Sequence, residues 1–309
     1  MLRLSLAALL LSAGAAAAFP VTVKSCNRDV TFDAAPSRAI SNDVNLTEMM
    51  LVLGLRDQMV GYTGISGWKT LDPVMREGVA ELPELSAKYP TKEVLAAAEP
   101  DFFFAGWNYG MKVGGEVTPE TLEPLGIKVY ELTESCIHIG PKEKSSMQDM
   151  YADILNLGTI FGVEDRAQAL VAGWQAELAE VTKGVDRTDP VRVFVYDSGE
   201  KAPFTAGRYA MPTAMIEAAG GVNIMDDLDK SWAEIGWEPV VERNPEVVVI
   251  VNYGDVTAEQ KIAFMKSNPA FAEIDAVKND RFVVLEYVEA TPGPRNIEAV
   301  KKLVAGFAD

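Results

Sequence analysis

Apolar and polar positions along this chain change period several times, and each change marks an element. Val21–Lys24 and Val30–Phe32 alternate around a turn at Asn27-Arg28-Asp29 and predict a hairpin, after which Ala34-Ala35-Pro36 breaks the chain. Short apolar runs then take turns with helical periods. Arg38–Ser41 predicts a strand, Leu46–Leu53 a helix ended by Gly54, and Gln58–Tyr62 another strand. Thr91–Ala98 predicts a helix closed at Glu99-Pro100 and followed by the strand Phe102–Ala105. Pro119–Leu125 predicts a helix ended by Gly126 and followed by the strand Ile127–Leu132. This βα rhythm predicts an α/β lobe with a largely parallel sheet.

The rhythm stops between Pro141 and Asp189. Met147, Met150, Tyr151, Ile154, Leu155 and Leu157 recur at helical steps up to Phe161-Gly162. A second helix carries Ala167, Leu170, Val171, Trp174, Leu178 and Val181 from Glu164 to Gly184; at about 20 residues it is roughly 30 Å long. Strands resume at Val191–Tyr196, Glu246–Val251 and Phe282–Leu285, with helices near Met211–Ala219, Ala258–Met265 and Asn296–Ala308.

The two halves share a signature. Glu93 opens a helix with Pro100 seven residues later, Asp101 eighth and the strand from Phe102; Glu238, Pro245, Glu246 and the strand from Val247 repeat it. The copies favour two similar lobes over one continuous doubly wound sheet. Two lobes imply a cleft, and loops that follow strands are where α/β sheets present ligands. Trp68, Trp107, Tyr109, Tyr253 and Tyr287 stand in such loops, while Trp232 and Trp237 flank a polar loop. Each could instead cover a strand end; Trp174, on a helix, is expected in the core.

At the N-terminus, Met1-Leu2-Arg3, the apolar stretch from Leu4 to Ala18 (at most 15 residues) and Phe19-Pro20 fit an export signal cleaved after Ala18. The stretch is short for a membrane span of about 20 residues. No cysteine stands at the cleavage point, so no lipid anchor is expected there. Export bears on Cys26 and Cys136, the only two cysteines. An oxidising compartment favours a disulfide, with two separate buried thiols as the alternative.

Composition narrows the function. The 309 residues hold 28 Lys plus Arg against 45 Asp plus Glu, a formal net charge of −17, which disfavours nucleic acid. A single histidine, His138, excludes sites built from several imidazoles. No nucleophile elbow, dinucleotide fingerprint or H-E-x-x-H motif is present, so no enzyme is expected.

Several segments, in this order, carry a resemblance: Pro36-Ser37-Arg38-Ala39-Ile40, Glu93–Ala105, Leu125-Gly126-Ile127-Lys128-Val129, and Leu157-Gly158 before Phe161-Gly162. Pro203-Phe204-Thr205-Ala206-Gly207 and Ala219-Gly220-Gly221-Val222-Asn223-Ile224 complete it. The chain resembles the periplasmic substrate-binding proteins of ABC importers for ferric siderophores, haem and cobalamin, over residues 19–309. The resemblance implies two Rossmann-like α/β lobes, residues 19–163 and 187–309, joined by one long helix at 164–186, after a signal at 1–18. It also implies a monomer that is not membrane-embedded and delivers a metal chelate to an inner-membrane permease dimer with its ATPase. Glu93 and Glu238, by position, are the exposed glutamates that such proteins offer to the permease.

Trp68, Lys69, Trp107, Tyr109, Met111, Arg208, Tyr209, Met211, Trp232, Tyr253 and Tyr287 are the candidate ligand-binding residues. Lys112 and Arg295 are further candidate cations. Few free cations and many rings favour a large, weakly charged chelate over an anionic catecholate or citrate complex. A ferric siderophore of hydroxamate or mixed type leads, followed by a corrinoid, then haem; no resident cofactor and no bare metal ion are expected. A sensor or docking module that passes ligand on without transport is the rival of a different class.

Overall fold

The computed structural model describes residues 19–69, 71–186 and 188–308, so the export signal at 1–18 lies outside the described residues. The first lobe is built on parallel strands in the order Glu84–Ser86, Met59–Thr63, Ala39–Asn42, Phe102–Trp107, with Lys128–Glu131 beyond. Its central strand Phe102–Trp107 is buried along its whole length, as a sheet covered by helices on both faces requires. The second lobe has parallel strands in the order Gly221–Asn223, Val191–Tyr196, Val247–Asn252, Phe282–Glu286. An antiparallel pair, Phe204–Ala206 with Trp232–Glu234, lies beside it. The fold is therefore a bilobed α/β architecture.

Helices Met147–Phe161 and Glu164–Val181 pass between the lobes. Gly162 turns the chain between them in a left-handed conformation (φ 68°) that caps the first helix. The second runs three residues short of the predicted Gly184, because Thr182–Gly184 turn away from it. Ala167 and Val171 are its buried residues, and Leu170, Trp174, Leu178 and Val181 pack on a core cluster that also holds Phe104 of the first sheet and Val249 of the second. One continuous apolar cluster thus ties both sheets to the helix, which limits how far the lobes can move apart.

The repeated signature has a structural cause. In each copy the sixth residue after the glutamate, Glu99 or Asn244, is left-handed (φ 47° and 43°) and ends its helix before the proline. Its carbonyl accepts from an arginine that precedes or begins the neighbouring strand: Arg38 Nε to Glu99 O at 2.7 Å, Arg192 Nε to Asn244 O at 3.1 Å. The acidic eighth residue accepts the backbone N–H of the same arginine, Asp101 from Arg38 at 2.9 Å and Glu246 from Arg192 at 2.9 Å. Each copy is one strand–helix joint clamped to an adjacent strand.

The two cysteines form a disulfide between Cys26, in the turn of the opening hairpin, and Cys136. It closes a span with sequence separation 110 and fastens the hairpin to the short 3-10 helix Thr133–His138. A crosslink over that span restricts the unfolded chain, so the C26S/C136S variant should lose about 2–5 kcal/mol of unfolding free energy in urea. An unchanged urea midpoint would show that the bridge does not restrain the unfolded ensemble.

Candidate functional site

The carboxyl ends of the parallel strands of both lobes face one cleft. On the first lobe, the turn after Met59–Thr63 supplies Trp68 and Lys69, the turn after Glu84–Ser86 supplies Tyr89, and the loop after Phe102–Trp107 supplies Asn108 and Tyr109. His138 follows Lys128–Glu131. On the second lobe, Asp197 follows Val191–Tyr196, Tyr253 follows Val247–Asn252, and Tyr287 follows Phe282–Glu286; Phe204, Ser231 and Trp232 close the side. The compartment these residues line has a volume of about 420 Å³.

Two glycines let the first-lobe loops turn this tightly. Gly64 (φ 81°) and Gly110 (φ 102°) both lie against the Asn42 side chain, and a Cβ on either would come within 2.7 Å of it.

Asp43 joins the two lobes beside the cleft. It has φ 75°, a region glycine favours, and is held there by its N–H on Thr63 O (2.8 Å) and by Oδ1 accepting the Val44 N–H at 2.6 Å. Oδ2 accepts from Lys69 Nζ of its own lobe and from Tyr287 Oη of the other lobe at 2.9 Å. The Lys69 ammonium also stands 4.3 Å from the Tyr287 ring centre and 5.1 Å from that of Trp68. Burial pulls the Lys69 pKa down while Asp43 opposes that shift. Further bridges join the lobes: Asn45 Nδ2 to Pro292 O at 2.7 Å, Ser145 Oγ to Tyr209 O at 2.5 Å, and Arg295 Nε to Glu48 Oε1 at 2.7 Å.

The cleft wall is aromatic. Phe204 and Trp232 stack at 5.9 Å with planes 16° apart, Trp68 meets Tyr89 edge-on at 5.3 Å, and the Tyr253 and Tyr287 rings are 5.3 Å apart. Burial raises the pKa of Tyr89, Tyr109, Tyr253 and Tyr287 alike, so all four are neutral phenols at neutral pH. Three of these hydroxyls are engaged as donors: Tyr89 to Asn108 O, Tyr253 to Asp197 Oδ1 at 2.8 Å, and Tyr287 to Asp43. The Asp197 pKa is raised by burial, and the His138 pKa is lowered by burial and by Lys230. The lining carries almost no free charge.

Six of the eleven sequence candidates meet in this compartment: Trp68, Lys69, Tyr109, Trp232, Tyr253 and Tyr287. The others stand elsewhere. Trp107 is buried against the first sheet and its Nε1 donates to Glu131 at 2.8 Å; Met111 is buried in the same cluster. Met211 is fully buried at the start of helix Met211–Ala218. Arg208 lies beside Asp229, and Tyr209 Oη donates to Asp229 at 2.7 Å. Trp237 is the strand-end cover among the tryptophans, packed on Phe194, Tyr196 and Phe271. Arg295 and Lys69 line a second compartment of about 610 Å³ next to the first. Tyr89, Asp197 and Phe204 were not singled out, although Asp197 satisfies the same loop-after-strand rule as Tyr253. Tyr89 follows the three-residue strand Glu84–Ser86, too short to stand out as a period.

Against this geometry, the model of the periplasmic binding protein family matches residues 41–288. The chain belongs to that family. A cobalamin-binding protein of Halobacterium salinarum is 26% identical over 305 residues, covering 94% of this chain and 75% of its own length. A periplasmic binding protein of Veillonella parvula aligns with TM-score 0.82 and 29% identity, covering 94% of this chain and 98% of its own. An ABC-type Fe3+-hydroxamate transport system of Saccharomonospora viridis aligns with TM-score 0.81 and 26% identity, over 94% of this chain and 100% of its own. This periplasmic binding protein is thus the non-catalytic partner of an ABC permease and ATPase. Among the described residues, no group of three or more His, Cys, Asp or Glu side chains could hold a metal ion, and no helix is long and apolar enough to cross a membrane.

Glu134 joins the lobes next to the cleft. It is fully buried, Oε1 accepts from Ser231 Oγ of the second lobe at 3.0 Å, and Oε2 meets no hydrogen-bond donor in good geometry among the described residues. Burial pushes its pKa up to about 8. The folded protein therefore keeps a proton that the unfolded chain releases above its ordinary carboxyl pKa, so this group costs stability as pH rises from about 4.5 to about 8. Glu134→Gln, which cannot ionise, should gain urea stability relative to the parent across that window, with the difference levelling off above it. A difference independent of pH would show that Glu134 is ionised in the folded state.

Proposed function

We propose that this periplasmic binding protein captures a corrinoid in its interlobe cleft and delivers it to the permease. The observation that carries this reading is a wall of rings from both lobes whose lining lysine is paired, with exposed Lys88 at its rim, 5.8 Å from the Trp68 ring centre. Lys69, the one lysine of that compartment, is already spent on Asp43. A broad, weakly charged macrocycle gains most from such a wall, by apolar burial and offset ring contact. The cobalamin-binding relative from Halobacterium salinarum supports the same choice.

Haem fits the lining less well. Its two carboxylates would need cations, and the hydroxyls of Tyr89, Tyr253 and Tyr287 are already engaged with Asn108 O, Asp197 and Asp43. A ferric hydroxamate is the second reading, favoured by the likeness to the Saccharomonospora viridis system and by the same lack of need for arginines.

Glu93 and Glu238 are our candidates for permease docking. They are exposed, one on each lobe, in the first turns of helices Lys92–Ala98 and Glu238–Arg243, where the helix dipole favours a carboxylate. The remaining boundaries proposed are a first lobe at 19–163, a connecting helix at 164–186 and a second lobe at 187–309.

Titration calorimetry with cyanocobalamin should give saturable 1:1 binding, and Trp232→Ala should weaken it about tenfold by removing one ring of the stacked pair. Heat with a ferric hydroxamate and none with cobalamin would transfer the assignment to the second reading. The E93K/E238K variant should abolish uptake in cells while binding stays intact; lost binding would place those glutamates in a structural role.

A further inference from the structure

The cleft has two compartments of opposite character, and their partition is built from both lobes. Trp68 and Lys69 of the first lobe and Tyr253 and Tyr287 of the second line both compartments. In front of this partition the lining is nearly uncharged. Behind it, the second compartment of about 610 Å³ is lined by four carboxylates, Asp72, Asp255, Glu259 and Glu286, and by two cations. Both cations are taken: Lys69 by Asp43, and Arg295 by Glu48 at 2.7 Å and Asp72 at 2.5 Å. Asp255 and Glu259 are exposed, in the turn before and the first turn of helix Ala258–Ser267. The partition itself holds an unsatisfied group, since Trp68 Nε1 is buried without a hydrogen-bond partner among the described residues. That donor suits a carbonyl or amide oxygen on a ligand seated across the partition.

We propose that the second compartment receives a side arm of the chelate bound in front and selects it by charge, accepting neutral or cationic arms and rejecting anionic ones. This rests on the chelate reading of the front compartment and adds a specificity site to it. The reasoning is electrostatic. An ammonium or amide arm enters a region with surplus negative charge, whereas a carboxylate arm enters it with both lining cations, Lys69 and Arg295, already paired. The overall charge of −17 acts in the same direction at longer range. The front compartment fixes what kind of core is held; the second decides which derivatives of that core are admitted.

The test uses one core with three arms: cyanocobalamin, a derivative with one peripheral amide hydrolysed to the carboxylate, and one with that amide replaced by an aminoethyl amide. Affinities are measured at low and at high salt on the full mature chain and on Asp255→Asn/Glu259→Gln, whose side chains are exposed and outside the core. The amine should bind tightest and the acid weakest, about three- to tenfold apart at low salt, with the spread shrinking at high salt and in the double variant. Equal affinities for the three arms, or a spread that the double variant leaves unchanged, would overturn the filter. If no corrinoid binds, the corrinoid assignment falls by itself. The filter is then read on ferrioxamine B, which ends in an ammonium, against its N-acetyl and N-succinyl derivatives, with the same order expected. Failure of both series to bind would overturn the second compartment's role as well.

Discussion

Everything about the cleft depends on one carboxylate oxygen that both lobes use. Asp43 Oδ2 accepts from Lys69 of the first lobe and Tyr287 of the second, while Oδ1 holds the start of helix Val44–Val52. A buried carboxylate in that position requires partners, because an unpaired one would cost several kcal/mol. The first sheet sets the residue at the end of strand Ala39–Asn42, and its left-handed backbone turns the side chain toward the partner lobe. Lys69 then has no freedom to neutralise a ligand, and Tyr287 has no freedom to ionise. What the first compartment chiefly offers a ligand is the faces of rings.

That consequence links packing to function. A chelate already satisfies the metal with its own donors, so the protein need only supply area, shape and a little polarity. The cleft does so between lobes that share one apolar cluster with the helix Glu164–Val181. Side-chain bridges such as Asn45 with Pro292 and Glu134 with Ser231 also join the lobes across the cleft.

Most of the architecture was legible because it rests on local rules. Pro100 and Pro245 end helices wherever they stand, and the left-handed residues before them repeat along with the arginine clamps, so the repeat could be read from two nine-residue windows. The loop-after-strand rule expected Trp68, Tyr253 and Tyr287 at strand ends, and the structure brings all three to one cavity. It misplaced attention on Trp107 and Met111, since strand Phe102–Trp107 extends two residues beyond the predicted Ala105 and carries Trp107 into the core. Asp43 was invisible: nothing in Asn42-Asp43-Val44 announces a partner 244 positions away. The division of the cleft into a neutral and an acidic compartment was equally hidden, because whether Arg295 and Lys69 are free depends on which carboxylates the fold brings beside them.

Native mass spectrometry of the protein purified from its own periplasm tests most directly whether its ring-walled, charge-poor cleft captures a corrinoid. The account predicts a 1:1 complex whose retained mass is that of a cobalt corrinoid, released on unfolding. A retained ferric siderophore, or a haem, would contradict it.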